Sequence, residues 1–316
     1  MLELAQGNGF SRMGQIIEEQ LRSGGKRLRA RLALAAFKKL APDRPAAVGW
    51  AAACELLHNA TLVHDDIQDG DRLRRGHPTA WVLHGTAQAI NAGDLMLMLP
   101  FSAIDRLEAP PEHKWLISKS LAEAAQQIVR GQSFEADLIE TCGEPGGLDN
   151  YLACIRGKTA ALFRLPVEGA AILAGITESE ARRVGGVFEE LGVLFQIQDD
   201  VLDLYGDKGR EMPGQDLREG KVSSLIVEHL KIYPEDRAWL VGLLRTPRER
   251  TSQADVEKAI AKFSEGGALE RSLARARTIV AEMMSAPELK SNAGLRELAT
   301  ELVASMLKPI ENVYSS

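Results

Sequence analysis

The chain has 316 residues, 45% of them hydrophobic and 26% charged, the composition of an ordinary globular protein and not of a disordered or fibrous one. Its 38 basic and 44 acidic residues leave a net charge of −6, which supplies no global attraction for nucleic acid or an anionic membrane. Any anion site must be built locally.

The three cysteines, Cys54, Cys142 and Cys154, form no CxxC pair. They read as structural thiols in a reducing compartment. The N-terminus shows no basic segment followed by an apolar one, and the apolar stretch from Ala160 to Ile176 is interrupted by Arg164 and Glu168, short of the roughly 20 clean residues of a membrane span. A cytoplasmic protein without a transmembrane segment is expected. Aromatics are 5%, and Ala, Leu, Glu, Arg and Lys, the strong helix formers, dominate. Length alone suggests two domains at about 150 residues each. No break reads as a flexible linker, however, so residues 1–316 are expected to form a single all-α domain.

In chain order, the first break is Ser23-Gly24-Gly25, followed by Lys26-Arg27-Leu28-Arg29. Lys26 and Arg29 are spaced to share one face just inside a helix N-terminus, where the positive helix end adds to an anion site. After Pro42–Pro45, a helical run from near Trp50 ends in His64-Asp65-Asp66-Ile67-Gln68-Asp69. At 3.6-residue periodicity Asp65, Asp66 and Asp69 fall within an arc of about 100°, where like charges repel. The sign then switches in Arg72-Leu73-Arg74-Arg75, whose planar guanidinium forks suit phosphate oxygens.

Further breaks fall at Gly76–Pro78, Ala109–Pro111 and Gly143–Gly147. Gly157-Lys158-Thr159 then places a lysine in an apolar run, and a long helical segment carries Gln196-Ile197-Gln198-Asp199-Asp200-Val201-Leu202-Asp203. Three carboxylates on an otherwise apolar helix are costly unless a partner neutralises them. Residues 206–220 combine glycines with charge and read as a surface loop, a candidate lid, ending in Gly220-Lys221. Neither glycine–lysine pair has the upstream glycines of a phosphate-binding P-loop. The helices of 234–316 carry no chemical cluster and read mainly as scaffold.

Oxygen-rich, sulfur-free clusters suit hard divalent cations, and Mg²⁺ characteristically bridges carboxylates to substrate phosphates. Two acidic clusters and four basic groups point to two diphosphates, one clamped through metal and one held directly by lysine and arginine.

These segments, together with Glu55-Leu56-Leu57-His58, resemble the trans-isoprenyl diphosphate synthases, the polyprenyl synthetase family. The motifs run in order from about residue 20 to 225. The resemblance implies one bundle of the isoprenoid synthase type around a deep central cavity, and a homodimer. It implies that Asp65, Asp66, Asp69, Asp199, Asp200 and Asp203 hold three Mg²⁺, with Mn²⁺ as an alternative, on an allylic prenyl diphosphate. Arg74, Lys158 and Lys221 would contact that diphosphate, and Lys26, Arg29, His58 and Arg75 would hold isopentenyl diphosphate. Thr159 and Gln196 would line the reacting centre; with Lys158, Asp65 and Asp199 they make up the expected catalytic set.

In such enzymes the helix before the first acidic motif limits product length. Here the positions are Leu57, Ala60 and Thr61, and the two small residues, with the short DDxxD spacing, favour a C20 product over C15. Leu57 and the bulky run 95–101 are candidate floors against longer chains, so C25 or more competes with C20. An Ala60→Phe substitution is expected to shorten the product. A class I terpene cyclase would leave Lys26, Arg29 and Arg75 unexplained, and a non-catalytic regulatory subunit should have lost motif residues that are present here.

Overall fold

The computed structural model describes residues 1–6, 12–45, 47–206, 213–310 and 313. Helix dominates it, as the composition predicts. In chain order the helices are α1 (Leu2–Gln6), α2 (Arg12–Arg22), α3 (Leu28–Leu40), α4 (Val48–Gln68), α5 (Ala80–His84), α6 (Thr86–Asp105), α7 (Pro111–Thr141), α8 (Gly147–Ile155), α9 (Ala161–Leu173), α10 (Glu178–Tyr205), α11 (Gln215–Arg218) and α12 (Ser224–Leu230). They are followed by α13 (Arg237–Leu244), α14 (Gln253–Glu265), α15 (Ala268–Ser285), α16 (Pro287–Lys290) and α17 (Ala293–Leu307). A five-residue π turn, Arg156–Ala160, joins α8 to α9. Among the described residues no helix is long and apolar enough to cross a membrane. The three cysteines are buried free thiols.

The chain packs into two compact units, residues 1–125 with 162–185 and residues 126–161 with 186–316. In the first, α4 lies against α3 and α6. Its fully buried Trp50 donates from Nε1 to the Pro166 carbonyl at 3.0 Å. Only a glycine fits beside that indole, since a Cβ on Gly169 would sit 2.1 Å from the ring. An apolar cluster of Ile16, Ile17, Leu56, Ala60, Val63, Met96 and Leu99 fills the space between α2, α4 and α6. In the second unit, α12 packs on α8 and α15. Its buried Glu228 takes Arg275 Nη2 on Oε1 at 2.5 Å.

Two expectations are corrected, and one short element is added. A two-strand hairpin, β1 (Leu73–Arg74) with β2 (His77–Pro78), interrupts the helices, because the alternation is too short to register in a periodicity reading. Helix α3 starts at Leu28, so Lys26 lies outside it and shares no helix face with Arg29. Gly24 and Gly25 have φ of 97° and 106°, a conformation glycine adopts without cost, and Arg27, the residue before α3, is left-handed as well at φ 50°. Of the candidate lid 206–220, residues 207–212 lie outside the described residues. The rest is not simply open loop: Gln215–Arg218 forms α11 with Leu217 buried.

Candidate active site

In the first unit the first acidic motif occupies the last turn of α4, with Asp69 as its C-cap. A carboxylate is disfavoured at this negative helix end, so the cluster must be stabilised by something other than the helix. Arg74, delivered by the hairpin, supplies part of that. Its Nε donates to Asp66 Oδ1 at 2.5 Å, and its Nη2 lies 3.8 Å from Asp71. Asp66 is 1% exposed, and its Oδ2 is buried with no hydrogen-bond partner. Burial pushes its carboxyl up to about 6, against the opposing pull of Arg74. One lone oxygen on a buried carboxylate fits a cation that arrives from outside the chain. Asp65 and Asp69 are partly exposed beside it.

The basic residues of this unit converge around His58. Arg29 is buried over the Phe163 ring, 4.8 Å from its centroid. The Arg75 backbone sits at φ 55° in the hairpin turn, and its Nη1 donates to the Gly24 carbonyl at 2.5 Å. That contact explains Gly25, where a Cβ would meet the same guanidinium at 2.5 Å. Burial, with Arg29, Arg75, Arg74 and Arg27 around it, holds His58 well below the usual imidazole range. Burial likewise lowers Arg29 to about 10. The His58 Nδ1 is buried without a partner. Lys26 is exposed. Beside the arginines lies Glu55, 3% exposed, which accepts from the Ala30 N–H at 3.2 Å and from Asn59 Nδ2 at 3.3 Å, and lies 3.5 Å from Arg27 Nη1. Two buried carboxylates, Glu55 and Asp66, thus stand among the four arginines Arg27, Arg29, Arg74 and Arg75, a surplus of positive charge of the kind that suits a phosphate group.

The positions nominated for chain length differ in setting. Leu57 and Ala60 have at most 1% of their surface exposed, and Ala60 packs in the apolar cluster with Met96 and Leu99. Thr61, one turn before Asp65, is partly exposed. The bulky run 95–101 does not act as one surface: Met96 and Leu99 enter the cluster, while Met98 and Phe101 are 57% and 38% exposed.

In the second unit Lys158 and Thr159 lie in the π turn. Such turns bulge the backbone and place side chains a regular helix cannot. The turn is shaped by α7. Gly131 and Gly157 face each other so closely that a Cβ on Gly131 would lie 2.4 Å from the Lys158 nitrogen. Gln127 Nε2 donates to the Arg156 carbonyl at 3.2 Å. Lys158 Nζ pairs with Glu135 at 2.5 Å, and Lys221 Nζ pairs with Glu219 at 2.9 Å. Both lysines therefore rest on carboxylates that sequence reading did not nominate.

The second acidic motif lies on α10, and its three aspartates are not equivalent. Asp199 is partly exposed. Asp200 is 4% exposed and fully engaged: Oδ2 accepts from the Tyr151 hydroxyl and from the Ser224 N–H, each at 2.6 Å, and Oδ1 accepts from Gln196 Nε2 at 3.0 Å. Burial still pushes Asp200 up to about 6, outweighing those donors. Asp203, also buried, accepts from the Asp216 N–H at 3.0 Å and so caps the first turn of α11. Gln196 Oε1 in turn accepts from the Thr159 hydroxyl at 3.0 Å. Among the described residues no three His, Cys, Asp or Glu side chains converge tightly enough to hold a metal by themselves.

A family model for polyprenyl synthetase matches residues 11–263. A short chain isoprenyl diphosphate synthase of Methanocaldococcus jannaschii is 36% identical over 217 residues, 68% of this chain and 65% of that relative, just under two thirds of its length. A geranylgeranyl pyrophosphate synthase of Geoglobus acetivorans is 34% identical over 262 residues, 82% of this chain and 79% of the relative. Among solved structures, a geranylgeranyl pyrophosphate synthetase from Pyrococcus horikoshii superposes with a TM-score of 0.79 at 28% identity, covering 92% of this chain and 89% of that one. The matched span takes in most of the sequence and every candidate site residue from Lys26 to Lys221, and the chain belongs to the polyprenyl synthetase family.

Proposed function

We propose that the protein condenses isopentenyl diphosphate with an allylic prenyl diphosphate to give an all-trans product longer by one or more five-carbon units, ending at C20. The observation that carries this reading is that both aspartate-rich segments and every basic motif residue fall, in order, within the span the family shares. The geranylgeranyl synthases among the relatives support the C20 length, as does the absence of an aromatic side chain at Ala60 and Thr61.

Asp65, Asp66, Asp69 and Asp199 would hold Mg²⁺, while Asp200 and Asp203, the other two aspartates that the family resemblance assigns to the metal, accept from donors of the chain itself. When bound, the metal neutralises the allylic diphosphate and makes it a better leaving group. Arg74, Lys158 and Lys221 exchange their carboxylate partners for that diphosphate and stabilise the charge that builds on it as the allylic C–O bond breaks. Lys26, Arg29, His58 and Arg75 hold the second diphosphate, so that the double bond of isopentenyl diphosphate lies within reach of the allylic carbon. A C–C bond forms from that double bond, and a proton leaves the adjacent carbon, taken up by the released diphosphate. Residues 1–316 act as one domain and the chain as a homodimer in this reading, as the family resemblance implies.

The test is product sizing with Mg²⁺, labelled isopentenyl diphosphate and dimethylallyl, geranyl or farnesyl diphosphate in turn. A C20 product from each primer is expected. A sole C15 product would remove the deep-pocket argument, and no release of diphosphate would remove the enzyme reading.

A further inference from the structure

Asp200 anchors a hydrogen-bond relay that ends at the π turn, in which Gln196 Nε2 donates to Asp200 and the Thr159 hydroxyl donates to Gln196 Oε1. An ionised carboxylate only accepts. Gln196 must therefore turn its NH₂ toward Asp200 Oδ1, at 3.0 Å, and its carbonyl toward Thr159, also at 3.0 Å. With the amide fixed in that sense, the Thr159 hydroxyl has to donate to Gln196. Its proton is committed inward, and only its lone pairs remain for a group outside. Asp200 is itself held in place by the Tyr151 hydroxyl and the Ser224 N–H, both on Oδ2. Tyr151 is 1% exposed, so its hydroxyl is sealed against Asp200.

We propose that Tyr151 is a positioning residue which, through Asp200 and Gln196, sets the polarity of Thr159 so that the π turn presents oxygen lone pairs, and no hydroxyl proton, to the electron-poor allylic carbon. In this arrangement Asp200 serves as the hub of the relay and not as a metal ligand. Carbon turning cationic is stabilised by an oxygen lone pair and destabilised by a hydroxyl proton aimed at it, so the sense of the dipole matters as much as its distance. The inference rests on the prenyltransferase reading above.

The test is the Tyr151→Phe variant, which removes one hydroxyl and keeps the ring, compared with the wild type at saturating isopentenyl and allylic diphosphates over a Mg²⁺ titration. The expected result is a kcat lowered about tenfold, the rate equivalent of one hydrogen bond to a charged acceptor. KM for isopentenyl diphosphate and the half-saturating Mg²⁺ should stay at their wild-type values. Because the relay runs through Gln196, Tyr151→Phe should lose most of its effect when introduced into Gln196→Ala, whereas a merely structural loss would add to it. A wild-type kcat in Tyr151→Phe, a deficit that excess Mg²⁺ repairs, or additive effects of the two substitutions would each overturn the relay while leaving the prenyltransferase reading intact. A wild-type protein that forms no product would overturn both.

Discussion

Asp66 shows how a single side chain can record a missing partner. One carboxylate oxygen is paired with Arg74 and the other has no donor, in a position with 1% exposure. Removing Arg74 leaves that carboxylate buried and unpaired. Arg74→Ala is therefore expected to lower folding stability by about 1–3 kcal/mol in the absence of Mg²⁺, read by urea denaturation, and Mg²⁺ with inorganic diphosphate should recover part of the loss. Unchanged stability would show that the pair contributes nothing to the fold. The acidic motif itself was legible in the sequence, because uncompensated like charges on an apolar helix demand an explanation. The division of labour within the second acidic motif was not: that Asp200 is sealed under Tyr151 while Asp199 stays partly open depends on α8 and α12, which sequence spacing does not place.

The π turn is where local sequence and tertiary packing disagree. Periodicity alone carries a helix straight through residues 156–160, and the bulge arises because Gly131 lets α7 approach the Lys158 backbone. A lone glycine between Arg130 and Gln132 was the available signal, since a glycine inside a helix costs stability unless close packing requires it. Gly131→Ala places a methyl group 2.4 Å from the Lys158 nitrogen. Overpacking of that kind typically costs about 1–3 kcal/mol, so a lowered melting temperature is expected, with a loss of kcat that exceeds any change in KM. Retained activity would separate the π turn from catalysis. On α4 the structure sharpens the reading of chain length. Thr61→Phe should shift the product from C20 toward C15 with the fold intact. Ala60→Phe must instead displace Met96 or Leu99 in the apolar cluster, and should lower the melting temperature as well as shorten the product. Product sizing and thermal denaturation of both variants check this, and a C20 product from Thr61→Phe would contradict the assignment of Thr61 to the substrate side.

At the scale of the molecule, the all-helical class followed from composition and periodicity, and the family from the order of its motifs. The two compact units did not, because each collects residues from separate stretches of the chain, and no linker or composition shift marks a boundary that exists only in contacts. The hairpin carrying Arg74 and Arg75 escaped for the opposite reason, being too short to leave a pattern. The glutamates that hold Lys158 and Lys221 lie on α7 and beside α11, and charge counting could not pair them. The central claim is that these parts serve one reaction, the extension of an allylic diphosphate by isopentenyl diphosphate to C20. Its most direct test is the size of the product made by the purified protein from labelled isopentenyl diphosphate and farnesyl diphosphate with Mg²⁺. The account predicts labelled geranylgeranyl diphosphate and one released diphosphate for each molecule formed, both abolished by EDTA; farnesyl diphosphate recovered unchanged would contradict it.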